Sequence, residues 1–319
     1  MLLRIDPWNP EYGSSVELDI ESESAPALDL TVEVSGPWAP FAAALPISGR
    51  CCAFVDGARR IDANLFAEEN DLSVPALAGT WAVGCAWSSR PPVIDDVRVG
   101  RALVVGGGLT PPPPLEIRIG TGRHSFTPSS VTGSDTSDPL RGLQNAMRAA
   151  EGDAARVALE SGRAELVVVD GPLGSALDGA IVGMVKRQSR TYLDRERARV
   201  VPALQAGERT PMFKLSRQQF ECYSWYLRLT DRRAIDGAMA GIVRVEVAAQ
   251  AGLPAAQALA ELVSGVLPQF AGDPARDPRA PQNLYPVGAL ESVLRHRLGD
   301  PLLVRRAIEA ALLEEITRV

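Results

Sequence analysis

Residues Arg50–Phe66, RCCAFVDGARRIDANLF, decide how the rest of the chain is read. Cys51 to Val55 form a short apolar run of the kind that suits a buried, pleated setting, and it halts at Asp56-Gly57 before Arg59 and Arg60. An aspartate closing a buried strand can hold a hard metal ion, and a glycine beside it lets the backbone bend or a ligand come close. The cadence returns as LVVVDGPLG, where Leu166–Val169 reads as a strand covered on both faces and Asp170-Gly171 closes it.

Between the two aspartates the chain first reads as β-rich. Arg59 to Phe66 either continues the first strand or turns back along it, and Gly79–Ser88 and Val93–Val105 suggest a following meander. Gly106–Pro139 is an insertion with a GGG, a PPPP and a polar Ser/Thr/Gly stretch. It is expected to be a flexible loop or flap carrying a short strand, Leu115–Ile119, and His124. Asp138-Pro139 then opens a helix, with Leu143, Met147, Ala150, Ala154, Val157 and Ala158 at helical spacing up to Gly162. Glu151 falls beside that apolar stripe, so it points either towards the sheet or out to water.

Beyond Asp170, Ile181–Val185 is a second β-branched run ending in Lys186-Arg187, ahead of the arginine-rich segment Gln188–Arg199. Trp225–Leu229 and Ile242–Val245 read as a strand pair, and Pro254 opens a helix towards Phe270. Ala271–Pro281 is a proline-rich loop. Leu290–Ile316 holds two helical segments broken at Gly299-Asp300-Pro301. Residues 1–50 read as a β-rich extension with runs at Val16–Ile20 and Leu28–Val34 and with Trp8 and Trp38 as anchors. Residues 51–319 show no linker and are taken as one domain.

Composition narrows the function. Hydrophobic residues make up 46% and charged residues 23%, which fits a globular protein. No apolar run is long enough to span a bilayer and the first residues lack a signal-peptide core, so a cytoplasmic location is expected. The four cysteines form neither a disulfide framework nor a CxxC site. A net charge of -6 means that any contact with nucleic acid depends on a local basic patch. Lys186 and Lys214 are the only lysines, and the two histidines, His124 and His296, give little support for histidine-based chemistry. There is no GxxxxGK[ST] loop, GxSxG elbow or HExxH helix.

If the two aspartate strands lie side by side under the helix, Asp56, Glu151 and Asp170 converge. Three such carboxylates repel one another unless cations neutralise them, and oxygen donors suit Mn²⁺ or Mg²⁺ rather than zinc. Two such ions can clamp a scissile phosphate, which makes phosphodiester hydrolysis the expected chemistry. Arg59, Arg60, Arg187, Arg190, Arg195, Arg197 and Arg199 are candidate phosphate contacts, or else solvated surface charges. Tyr192, Tyr223, Trp225 and Tyr226 either stack on unpaired bases or pack in the core.

In order, VDGARR at Asp56, MRAAEGDAARVAL at Glu151, VVVDGPL at Asp170, VGMVKRQSRTYL around Lys186 and YPVGALESVLRHRLGD from Tyr285 resemble the NurA nuclease family. The resemblance runs from about Cys51 to the C-terminus. It implies an RNase H-like mixed α/β sheet flanked by helices and a Mn²⁺-dependent DNA nuclease with exonuclease and endonuclease activity. It further implies a homodimer and a HerA-type hexameric translocase as partner in DNA end processing and repair. Carried across, Asp56, Glu151 and Asp170 match the metal ligands, with Lys186 and Tyr285 near the scissile phosphate. The family also places a histidine near the metals, but His296 lies further from Tyr285 than that pattern requires. Two other readings stay open: a non-catalytic adaptor that docks on DNA ends or on a translocase, and an RNase H-type ribonuclease.

Overall fold

A computed structural model describes residues 1–6, 26–42, 45–89, 91–174, 177–187, 192–217 and 220–318. The chain is a mixed α/β protein whose strands, among the described residues, form one twelve-stranded sheet. The first strands are β1 (Leu2–Ile5), β2 (Ala27–Asp29), β3 (Cys52–Glu69), β4 (Leu72–Trp87) and β5 (Val93–Val105). A hairpin of β6 (Leu115–Ile119) and β7 (Gly122–Ser130) follows, then helix α1 (Asp138–Glu160) and strands β8 (Leu166–Asp170) and β9 (Ile181–Val185). Two single-turn helices, α2 (Arg195–Ala198) and α3 (Val200–Ala203), precede β10 (Phe213–Ser216), β11 (Glu221–Arg228) and β12 (Ile242–Ala248). Helices α4 (Leu253–Val266), α5 (Tyr285–Arg297) and α6 (Pro301–Arg318) complete the chain.

At the centre, β5, β4 and β3 form an antiparallel meander, and β8 joins β3 in parallel, followed by β9 in parallel with β8. The crossover from the meander to β8 runs through α1, as a parallel connection requires. Side chains alternate across this layer. Cys52, Phe54, Leu166 and Val168 pack with Val287, Leu290 and Leu294 of α5 and with the buried side of α4. Ala53, Val55, Val167 and Val169 pack with Met147, Ala154 and Ala158 of α1 on the opposite face. Leu166–Val169 of β8 and the whole of β9 carry no polar side chain because both faces are covered.

The structure corrects three sequence-based expectations. Asp56 does not end a strand, because β3 continues through it to Glu69 and bulges between Ile61 and Ala63. What ends at Asp56 is the pairing with β8, whose last partners are Val55 and Val169, so Asp56 and Asp170 are the next residues on neighbouring strands. The 106–139 insertion is not a structureless flap. β7 pairs with β5, and Leu115, Ile117 and Phe126 are buried in a cluster with Val304, Ile308 and Leu312 of α6. β1 and β2, from the N-terminal stretch, join the same sheet by pairing with β3 and β10. Of the segment expected as a strand at Leu28–Val34, only its start is one. Trp8 and Val16–Ile20 lie outside the described residues. Trp38 is buried, its ring 6.3 Å from that of Phe213.

Candidate metal centre

Parallel register brings Asp56 and Asp170 together, and the alternation of the strands sends both to the α5 face. There Glu291, on the second turn of α5, joins them: one ligand atom from each of Asp56, Asp170 and Glu291 lies within 4.8 Å of the others. Glu291 was not singled out in the sequence. Its signal was faint, since it is a lone acid one residue past the core residue Leu290 with no local pattern to mark it. His296 is exposed, well along the helix.

Glu151 arrives from the other face. It is buried on α1, and its carboxylate lies against Gly57, where a Cβ would collide with Oε1 and with the Met147 side chain. Gly57 follows Asp56 on β3, so its missing side chain leaves the gap in which an acid from the α1 face lies against the strand beside Asp56. Asp56, Asp170, Glu151 and Glu291 form one electrostatic group. Burial first, then Asp170, raises the Asp56 carboxyl well above the usual range; Lys186 opposes this, and Glu151 and Glu291 add to it. Burial pushes Glu151 up to about 8, against the pull of Arg148 one turn earlier, and Asp170 contributes to the rise. The Asp170 carboxyl is also raised, by burial above all, with Lys186 pulling it back.

Cations border the acids. Lys186, just past β9, donates from Nζ to Asp170 Oδ2 at 2.6 Å and to Asn283 Oδ1. Asn283 in turn donates to Asp277, and Arg279 bridges Asp277 to Glu291 with contacts of 2.7–3.0 Å. The turn after Asp170 is held in place too. Gly171 has φ of 114°, a conformation that favours glycine, and the Leu173 amide donates to the buried Glu246 at 3.1 Å. Burial would raise the Glu246 carboxyl, but Arg244 and Arg217 outweigh it and keep it ionised.

Tyr285 opens α5, half exposed, with its ring 5.6 Å from Phe270. Arg59 is partly buried and bonds Gln144 of α1. Arg60 pairs with Asp62 and donates to the Leu298 and Gly299 carbonyls at the end of α5, which is a structural task rather than a phosphate contact. Arg187 is exposed beside Lys186, and Arg190 lies outside the described residues. Tyr192, Tyr223, Trp225 and Tyr226 are all buried and pack in the core, so none presents a face to a base.

A scan against family models finds no match for the chain, and a search of curated proteins finds none either.

Proposed function

We propose that this protein is a metal-dependent DNA nuclease and that Asp56, Asp170, Glu291 and Glu151 form its metal centre. The observation that carries the reading is the convergence of Asp56, Asp170 and Glu291 where the pairing of β3 with β8 ends, with Glu151 coupled to them from the other face, against the cost of burying like charges together. Desolvated acids this close favour protonation unless cations offset them, and an all-oxygen donor set fits Mn²⁺ or Mg²⁺. When bound, such ions would supply an activated water and neutralise charge on the scissile phosphate.

The chain's own part is positioning. β3 and β8 fix Asp56 and Asp170 as neighbours, α5 and α1 bring Glu291 and Glu151 from opposite faces, and Lys186 places an ammonium at the rim, where it can meet a phosphate oxygen. Further support comes from the order β5-β4-β3-β8-β9, with its antiparallel meander, its parallel continuation and α1 in the crossover, which is the arrangement expected of an RNase H-like core. The motif order that resembles the NurA family points the same way, and the proposal extends to a homodimer working with a HerA-type translocase in DNA end processing. In this reading Glu291 stands where the family pattern has a histidine. The adaptor alternative would have gained from a solvent-facing Glu151, and Glu151 is buried. No helix among the described residues is long and apolar enough to cross a membrane.

The deciding experiment incubates purified protein with end-labelled DNA, with and without Mn²⁺, beside Asp56→Asn. Metal-dependent products from the wild type and none from the variant support the reading. Equal rates from both, or no products from either, would overturn it.

A further inference from the structure

Next to the acids, the loop Ala271–Leu284 and the first turns of α5 enclose a cleft of about 600 Å³. Glu291 is shared by the cleft and the acidic group, and Asn283 joins the two through Lys186. Arg276, Arg279 and Arg295 line it together with Asp273 and Asp277, and Tyr285 and Gly288 join from the first turn of α5. In that turn Pro286 carries no N–H and the Gly288 amide is bonded to the Leu284 carbonyl, so the arginines rather than the helix end supply the attraction for an anion. Arg279 is held by Asp277 and Glu291, whereas Arg295 is exposed and has no ion pair among the described residues.

We infer that this cleft seats the single-stranded DNA segment adjoining the bond to be cut, with Arg295 and Arg279 on its phosphates. The inference rests on the nuclease reading, because the cleft gains this meaning from the acids at its edge. Its volume falls in the range of clefts that take one small ligand, enough for a nucleotide or two. That volume has no room for a run of stacked base pairs, so a duplex does not enter it. Fork-shaped guanidinium groups suit phosphate, and Arg279 can exchange Glu291 for a phosphate oxygen if Glu291 turns to a cation.

The test measures fluorescence anisotropy of a fluorescein-labelled ten-nucleotide oligo(dT), and of a blunt duplex, in EDTA over a series of KCl concentrations. Arg295→Gln and Arg279→Lys are compared with the wild type, and Mn²⁺ binding is measured separately by calorimetry. Arg295→Gln is expected to bind oligo(dT) about fivefold more weakly, with its salt slope reduced by about 0.7, the value for one lost phosphate contact on a single strand. Its Mn²⁺ affinity should be unchanged. Arg279→Lys keeps the charge but loses the fork, so its affinity should fall with little change in slope. Unaltered oligo(dT) binding in both variants, or an equal loss on the duplex, would overturn the cleft assignment even where Mn²⁺ binds. Weakened oligo(dT) binding in a protein that takes no Mn²⁺ would uphold the cleft and sink the metal centre instead.

Discussion

The Glu151 carboxylate occupies the space that a side chain at Gly57 would fill. One residue without a Cβ therefore decides whether an acid from the α1 face can join those on the α5 face. Gly57→Ala is expected to push Glu151 and Met147 aside, at about 1–3 kcal/mol for overpacking. Mn²⁺ affinity should fall about 10–100-fold, as when a supporting contact of a metal site is lost. Calorimetry with Mn²⁺ and a thermal melt separate the two effects; unchanged affinity in a folded variant would show that Glu151 lies outside the centre.

Glu291→Gln probes the ligand that the sequence did not reveal. It should weaken Mn²⁺ binding and slow metal-dependent cleavage, whereas His296→Ala, on an exposed position, should do neither. If His296→Ala lost activity and Glu291→Gln kept it, the roles of the two would have to be exchanged.

Lys186→Met removes the ammonium from Asp170. Metal-dependent cleavage should drop by about 100-fold or more if Lys186 stabilises charge developing on the phosphate, a typical loss for one such donor. Mn²⁺ should bind as tightly as before or more tightly, because a competing cation has gone. A parallel loss of Mn²⁺ affinity and cleavage would instead mark Lys186 as purely structural.

The metal-free protein should become less stable as pH rises. Glu151 keeps its proton up to about 8 when folded and loses it near the ordinary value of 4.5 when unfolded, so the folded state binds more protons between these limits. Stability is therefore highest below the lower limit, falls through the window and levels off above about 8. The raised Asp56 and Asp170 carboxyls act in the same direction. Denaturant melts from pH 5 to pH 8.5 should show a decline on the order of a few kcal/mol, less steep in Glu151→Gln. Mn²⁺ should restore most stability at the alkaline end, where the acids are ionised. A flat or rising curve in EDTA would contradict this.

The acids on β8 and α1 could be recognised because period and punctuation carried the information: an apolar run stopped by Asp-Gly, and a helical stripe with Glu151 at its edge. Asp56 was found for a reason that proved only half right. The apolar run does stop there, but the strand does not, since Arg59 and Arg60 are accommodated on a strand that keeps pairing with β4 to its end. Glu291 and Asn283 could not be foreseen, because their importance depends on how α5 lies across the sheet, a long-range packing choice that leaves no local pattern. The strand Leu115–Ile119 was legible as a short apolar alternation, but its partner β7 and the docking of the hairpin were not, for a related reason. Glycines and prolines at its ends suggested disorder, while α6, far along the chain, supplies the apolar surface that orders it.

Arg60 is four residues beyond Asp56 on β3, and Glu291 is two turns before the carbonyls that Arg60 grips at the end of α5. The strand and the helix are thus riveted at one end while their acids face each other further along, like the jaws of a caliper closed on a fixed hinge. Loosening that hinge with Arg60→Met would change the span between Asp56 and Glu291 without touching either acid. Ions that tolerate a wider, softer cage, such as Ca²⁺, should then lose less affinity than Mn²⁺.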